Sequence, residues 1–264
     1  MSEMIAIMKD LTSIFPFVDE LNRAAGRIIR GYYGTELEII SKPDQSPVTR
    51  ADREVEMMMR DAIEKRFPDH SILGEEFGET TRPSAYRWII DPIDGTQSFI
   101  LRAPLFGTLL ALERDGEPIL GSIYLPIQDQ LLIGSAETGT FLEGRRCFVS
   151  KTPDLESSKL LITDPAALAS ARADEGFVKL CRSVKLVRGF GDCYGYFLVA
   201  SGAADIMIDL IMNYHDVAPM PPLLEGAGGR LTALSGASDP RAGNSLATNG
   251  LLHDQVIALL NSRA

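Results

Sequence analysis

The sequence predicts an α/β (α+β) protein in which helices layer on two sheets, and three observations carry that expectation. Apolar residues recur at helical spacing near the N-terminus. Turn-punctuated strand patterns take over from Tyr86, and after Gly144 strands and helices alternate. With 264 residues and 45% hydrophobic side chains, the chain has enough apolar material for a sizeable core in one globule of two lobes. The lobes are expected to span 1–150 and 151–264, dividing near 145–155.

The opening segment, to about Arg30, carries Ile7, Leu11, Ile14, Phe15, Val18, Leu21, Ala25, Ile28 and Ile29 at helical spacing, with an interruption predicted near Pro16. A polar loop is predicted over 41–49, then a second helix from about Ala51 to Arg66 with Val55, Met58, Met59, Ala62 and Ile63 inward. Trp88–Ile90 reads as a short buried strand. Further strands predicted at Gly107–Leu112, Gly121–Tyr124 and Gln130–Ile133 make an antiparallel meander. The second lobe reads as a strand at Leu160–Thr163, helices near Asp174–Cys181 and Cys193–Ser201, and a strand at Ala204–Asp209. A helix entered at Asp216, a strand at Leu231 and a final helix over Leu251–Ser262 follow.

Formal charge is −10, from 36 acidic against 26 basic residues, which offers no electrostatic footprint for nucleic acid or an anionic membrane. Any phosphate chemistry would need positive charge recruited locally, and a metal ion is the usual source. Cys147, Cys181 and Cys193 are odd in number, widely spaced and in no CxxC pair, as expected of reduced thiols. The first fifteen residues lack a basic n-region, and no apolar run approaches the roughly 20 residues of a membrane span. A cytoplasmic protein is expected.

The segment with most chemical content is Trp88-Ile89-Ile90-Asp91-Pro92-Ile93-Asp94-Gly95-Thr96. A strand ending at a Pro-stiffened turn sets two carboxylates at a sheet rim, although Asp91 as a cap and Asp94-Gly95 as a plain turn are ordinary alternatives. Gly74-Glu75-Glu76 lies just upstream. Adjacent glutamates are usually solvated surface, but Glu75 with Asp91 and Asp94 would supply the hard oxygens that Mg²⁺ takes. The third feature is Asn213-Tyr214-His215-Asp216-Val217-Ala218, leading to Glu225-Gly226-Ala227-Gly228-Gly229, where Asp216 could equally be a helix N-cap.

In this order and separation, the three segments resemble the inositol monophosphatase superfamily of metal-dependent phosphatases. Its signatures are Trp-x-x-Asp-Pro-x-Asp-Gly-Thr and a later Asp-x-Ala stretch ending in Ala-Gly-Gly, and Ser46–Asp52 matches its early loop. The resemblance implies a layered αβαβα sandwich, a homodimer and two or three Mg²⁺ ions. It implies metal ligands at Glu75, Asp91, the carbonyl of Ile93, Asp94 and Asp216. Glu75 and Thr96 fall where the attacking water is oriented, and Gly95 and Thr96 where amides bind phosphate. Asp52, counted with Glu75 and Thr96 as catalytic, matches a residue that helps form an additional metal site. His215 departs from the usual Trp or Tyr and is expected to fill an aromatic packing position. Pro219, Pro221 and Pro222 predict an irregular start to the helix after Asp216.

Ser98-Phe99-Ile100, Pro104–Leu109, Gly191–Tyr196 and Glu225–Gly229 look most like the histidinol-phosphatase branch. Asp192 and Asp209 fall where substrate contacts are implied, and two extra carboxylates suit the cationic histidinol better than neutral inositol. Asp192 could instead cap the helix that follows. Inositol 1-phosphate, or another small sugar or nucleotide phosphate, is the alternative substrate. A non-catalytic regulatory protein on this fold would show a lost metal ligand, and none is lost.

Overall fold

The computed structural model describes residues 11–41, 47–164 and 175–261, which build the five layers αβαβα. The first layer pairs α1 (Phe15–Tyr32) with α2 (Arg50–Arg66). Pro16 sits in the first turn of α1, where its missing N–H has no intrahelical partner to lose. It therefore starts this helix, after a 3₁₀ turn over Leu11–Ile14, and does not interrupt it. Most of the predicted apolar residues are on the buried face: Val18, Leu21, Ala25 and Ile29 share a core with Val55, Met59 and Ile63, while Phe15, Ile28, Met58 and Ala62 are only partly buried at its edge. Ile7 lies outside the described residues. The predicted loop at 41–49 contains a strand pair instead, β1 (Ile39–Ser41) with β2 (Pro47–Thr49), and Ser46 lies outside the described residues.

The second layer is an eight-stranded sheet. Its strands are β3 (Ser71–Gly74), β4 (Gly78–Thr80), β5 (Tyr86–Asp94), β6 (Gly107–Arg114), β7 (Glu117–Leu125), β8 (Gln130–Ser135), β9 (Gly139–Leu142) and β10 (Arg145–Cys147), in the order β10-β9-β8-β7-β6-β5-β3-β4. From β5 onward it is the predicted antiparallel meander, while β3 pairs parallel to β5. Both faces are buried, which is why these strands read as nearly continuous apolar runs. Leu110, Leu112, Tyr124 and Ile133 face α1 and α2, while Leu109, Ile123, Leu125 and Leu132 face the middle layer.

A short helix, α3 (Thr96–Ile100), follows β5. Beyond the first sheet comes β11 (Lys159–Ile162), then α4 (Glu175–Ser183), β12 (Leu186–Arg188), α5 (Asp192–Ala200), β13 (Ile206–Asp209), α6 (Tyr214–Val217) and α7 (Met220–Ala227). The chain ends with β14 (Arg230–Thr232), β15 (Ser245–Thr248) and α8 (His253–Leu260), so the last helix starts later than predicted, and Asp174 and Ser262 lie outside the described residues. Helices α5 and α7 form the middle layer between the two sheets. The second sheet runs β12-β11-β13-β15-β14, and α4 and α8 close its far face over Leu160, Ile206 and Leu246. Among the described residues, no helix is long and apolar enough to cross a membrane.

Candidate active site

Strand β5 runs on through Asp94, past its predicted end at Ile90, and its register against β6 shifts between Asp91 and Asp94. Pro92 has no N–H to give the ladder, and an irregularity at that point absorbs the loss. Local bonds then fix the two acids. Thr108 Oγ1 donates to the carbonyl of Pro92 at 2.9 Å, and the Ile93 N–H donates to Asp91 Oδ1 at 3.1 Å. Asp91 is only 2% exposed. Gly95 turns the chain out of the strand at φ +86°, a conformation that suits glycine. A Cβ there would lie 3.0 Å from Asp192 Oδ2. Thr96 opens α3 and donates its hydroxyl to the Ile93 carbonyl at 3.0 Å.

Glu75 lies on the turn between β3 and β4, with its N–H donated to the Ile90 carbonyl at 3.2 Å. Glu56, fully buried on α2, holds this turn from below. Its Oε2 accepts the Glu76 N–H at 2.7 Å, its Oε1 accepts the Phe77 N–H at 3.2 Å, and Arg60 pairs with it at 2.7 Å. A Cβ on Gly74 would overlap the Glu56 carboxylate. Sequence reasoning passed over Glu56, because an acid four before an arginine on a helix reads as a solvated pair. Its spacing with Asp52, Met59 and Ile63 on the buried face was the available signal.

Asp216 does not begin a helix as predicted. It is the third residue of α6, capped by Asn213, whose N–H donates to Asp216 Oδ2 at 2.7 Å. The prolines divide the segment into two helices, with Pro219 at the N-cap of α7 and the next two in its first turn. Tyr214 anchors α6 by donating its hydroxyl to Glu113, a carboxylate only 1% exposed. Glu113 is also held by Arg87 at 2.6 Å and Arg241 at 3.2 Å, and Arg241 lies 4.1 Å over the Tyr214 ring. This network too was missed, since its members are scattered along the sequence. It also corrects the expectation for His215. Tyr214 takes the packing role against Ile89, Ala111 and Ala218, while His215 Nε2 lies 3.2 Å from Asp216 Oδ1 and 3.9 Å from Glu75 Oε1.

Asp192 is not the cap of α5, since Gly191 holds that position and Asp192 is the first helical residue, at φ +50°. A non-glycine residue there is strained unless its surroundings enforce it. Its N–H donates to Thr163 Oγ1 at 2.9 Å, and the next N–H, of Cys193, donates to Asp94 Oδ2. Asp209, at the end of β13, is buried and accepts the Tyr196 hydroxyl at 2.9 Å.

These groups crowd negative charge into little water. Burial pushes Asp91 well above the usual carboxylate range, with Glu75, Asp94 and Asp216 adding to the shift. Asp94 is raised likewise, by burial and then by Asp192 and Asp216. Burial also raises Asp216, against the opposing effect of His215. Asp192 is pushed up to about 7 by burial and by Asp209 and Asp216. Burial pushes Asp209 and Asp52 each to about 6.

The donor chemistry fits divalent cations. Asp91, Asp94 and Asp216 each offer an oxygen, all within 4.8 Å of one another, and oxygens of Glu75 and Asp91 lie equally close to each other and to a ring nitrogen of His215. Asp52 adds an orphan: its Oδ2 accepts from both the N–H and the hydroxyl of Thr49, while its buried Oδ1 has no hydrogen-bond partner. Hard oxygens in this number match magnesium-like ions. The structure thus brings Glu75 of the β3–β4 turn, Asp91 and Asp94 of β5 and Asp216 of α6 together, with Gly95, Asp192 and Asp209 beside them.

A five-layer αβαβα sandwich with a carboxylate cage at the rim of its first sheet defines a metal-dependent phosphatase. The chain belongs to the inositol monophosphatase family, whose model matches residues 10–263. It is 41% identical over 211 residues to a histidinol-phosphatase of Chlorobaculum parvum, covering 80% of this chain and 82% of that one. Over 244 residues it is 38% identical to a histidinol-phosphatase of Mycobacterium tuberculosis, covering 90% and 94%. Among solved structures, the extragenic suppressor protein suhB of Bartonella henselae matches with a TM-score of 0.90 at 27% identity, covering 96% of this chain and 100% of that one. The protein is accordingly a phosphoric monoester hydrolase.

Proposed function

We propose that this enzyme is a Mg²⁺-dependent histidinol-phosphatase, converting L-histidinol phosphate and water to L-histidinol and phosphate. The observation that carries the proposal is the meeting of the four carboxylates Glu75, Asp91, Asp94 and Asp216 beside two further acids, Asp192 and Asp209. Glu75, Asp91, Asp94, Asp216 and the Ile93 carbonyl would hold two or three ions, with Asp52 Oδ1 turned to an additional one. When bound, Mg²⁺ offsets charge on the phosphoryl oxygens, acidifies water and stabilises the leaving alkoxide.

The chain's own groups then divide the work. Thr96 spends its only hydroxyl proton on Ile93, so its lone pairs accept from the attacking water, and Glu75 takes that water's proton. The amides of Gly95 and Thr96 face phosphate. Asp192 and Asp209 receive the ammonium of histidinol, for which the neutral polyol of an inositol phosphate has no counterpart. The histidinol-phosphatases of C. parvum and M. tuberculosis support the substrate choice. The same reading makes 1–150 and 151–264 two lobes of one cytoplasmic, homodimeric enzyme of histidine biosynthesis.

The test is phosphate release from L-histidinol phosphate and from inositol 1-phosphate, with Mg²⁺ or EDTA. We expect Mg²⁺-dependent turnover with kcat/KM at least about tenfold higher on histidinol phosphate, and Asp192→Ala to erase that preference. A preference for inositol 1-phosphate would overturn the substrate assignment.

A further inference from the structure

Among the described residues of the two donor trios, one side chain carries a donor that is not an oxygen. His215 is held between Tyr214, which packs α6 onto the sheet, and Asp216, whose carboxylate closes the capping box with Asn213. That leaves its Nε2 3.2 Å from Asp216 Oδ1 and 3.9 Å from Glu75 Oε1. We propose that His215 Nε2 is a ligand to the cation shared by Glu75 and Asp91, giving one metal position a mixed nitrogen and oxygen donor set. The inference rests on the metal-dependent reading above and goes beyond it, because a carboxylate cage alone requires no imidazole.

The distances carry the argument. Two ligands at about 2.1 Å from one octahedral ion stand about 3.0 Å apart when adjacent and about 4.2 Å apart when opposite. The 3.9 Å between Nε2 and Glu75 Oε1 falls inside that interval, while Asp216 Oδ1, at 3.2 Å, belongs to the neighbouring trio of oxygens. Ligand atoms of Glu75, Asp91 and His215 all lie within 4.8 Å of one another, so modest side-chain rotation closes them on one ion. Imidazole is a borderline donor that suits Zn²⁺ and Co²⁺, whereas carboxylate, carbonyl and water suit Mg²⁺. The position should therefore retain borderline ions more firmly than its oxygen ligands alone would. The competing account is a plain hydrogen bond from Nε2–H to Asp216, with no metal contact.

The full-length chain, stripped of metal and titrated with Mn²⁺, separates the two by pulsed electron paramagnetic resonance. We expect the ¹⁴N coupling of a directly bound imidazole, and its loss in His215→Phe, which keeps an aromatic ring but removes the donor. By calorimetry, His215→Phe should weaken Zn²⁺ binding by about tenfold to a hundredfold and Mg²⁺ binding by far less. Mn²⁺ binding that depends on Asp91 but shows no nitrogen coupling in the unmodified protein overturns the His215 assignment alone. Mn²⁺ binding that is indifferent to Asp91→Asn overturns the cage itself, and this ligand with it. The resonance measurement on the native chain decides the matter even if His215→Phe does not fold.

Discussion

The Oε2 oxygen of Glu56 accepts the backbone N–H of Glu76 at 2.7 Å, tying a fully buried acid on α2 to the turn that presents Glu75. The bond makes the position of one cage carboxylate depend on a side chain outside the cage. Glu56→Ala takes the counter-charge from Arg60, itself 12% exposed, leaving it only the Thr80 hydroxyl and the Gly78 carbonyl, and should cost about 3 kcal/mol of stability, measured as a lower urea midpoint. Divalent-cation binding should weaken by about tenfold to a hundredfold, as it does when groups behind metal ligands are removed. Unchanged cation affinity would show that the turn holds itself.

Asp91 sits between both metal-capable trios. Asp91→Asn should lower phosphate release by at least about a hundredfold, more than the loss of a supporting group. Without metal, the variant should melt no lower than the parent, since it removes one charge from a crowded buried cluster. Loss of activity together with a collapsed fold in EDTA would point instead to a structural role.

Gly95 adopts φ +86° with Asp192 and Leu105 against its open side. Gly95→Ala should cost about 1–2 kcal/mol from backbone conformation, with a further loss as the new methyl presses on Asp192 Oδ2. Kinetically, we expect a raised KM and a lowered kcat, because the substitution moves both the phosphate turn and a substrate acid. A variant with parental kinetics would separate Gly95 from the site.

Burial lifts Asp52 and Asp209 from their ordinary 3.8 to about 6. Each binds its proton more tightly folded than unfolded, so this contribution to stability is complete below about pH 4 and is lost as pH rises to about 6. The magnitude is on the order of 2 kcal/mol per group. In EDTA, Tm should therefore fall between pH 4.5 and pH 6.5, while saturating Mg²⁺ should reverse much of the fall by binding the ionised form. Scanning calorimetry across that range, with and without Mg²⁺, checks both halves. An EDTA profile that rises with pH would contradict the assignment.

The layers and the cage were legible in the sequence for a physical reason. Buried strands such as β6 and β7 show unbroken apolar runs, and metal ligands cluster in short motifs like the one over residues 88–96. What was not legible depends on distant partners. Glu113 meets Arg87, Tyr214 and Arg241 only after folding, and each of these four alone looks like a surface residue. The three histidines make the same point. His70 packs on Phe67 and accepts from Trp88 Nε1 at 3.1 Å, and His253 lies buried between Thr232 and Thr248, while His215 faces carboxylates. His215 is marked by its place directly before Asp216, but nothing local to it decides whether it or Tyr214 faces the cage.

Anomalous scattering from Mn²⁺ soaked into crystals of the metal-free protein tests the cage most directly. We predict peaks about 2.1 Å from oxygens of Glu75 and Asp91, and of Asp91, Asp94 and Asp216. Manganese found only elsewhere on the molecule, or these four carboxylates left without a peak at saturating metal, would contradict the account.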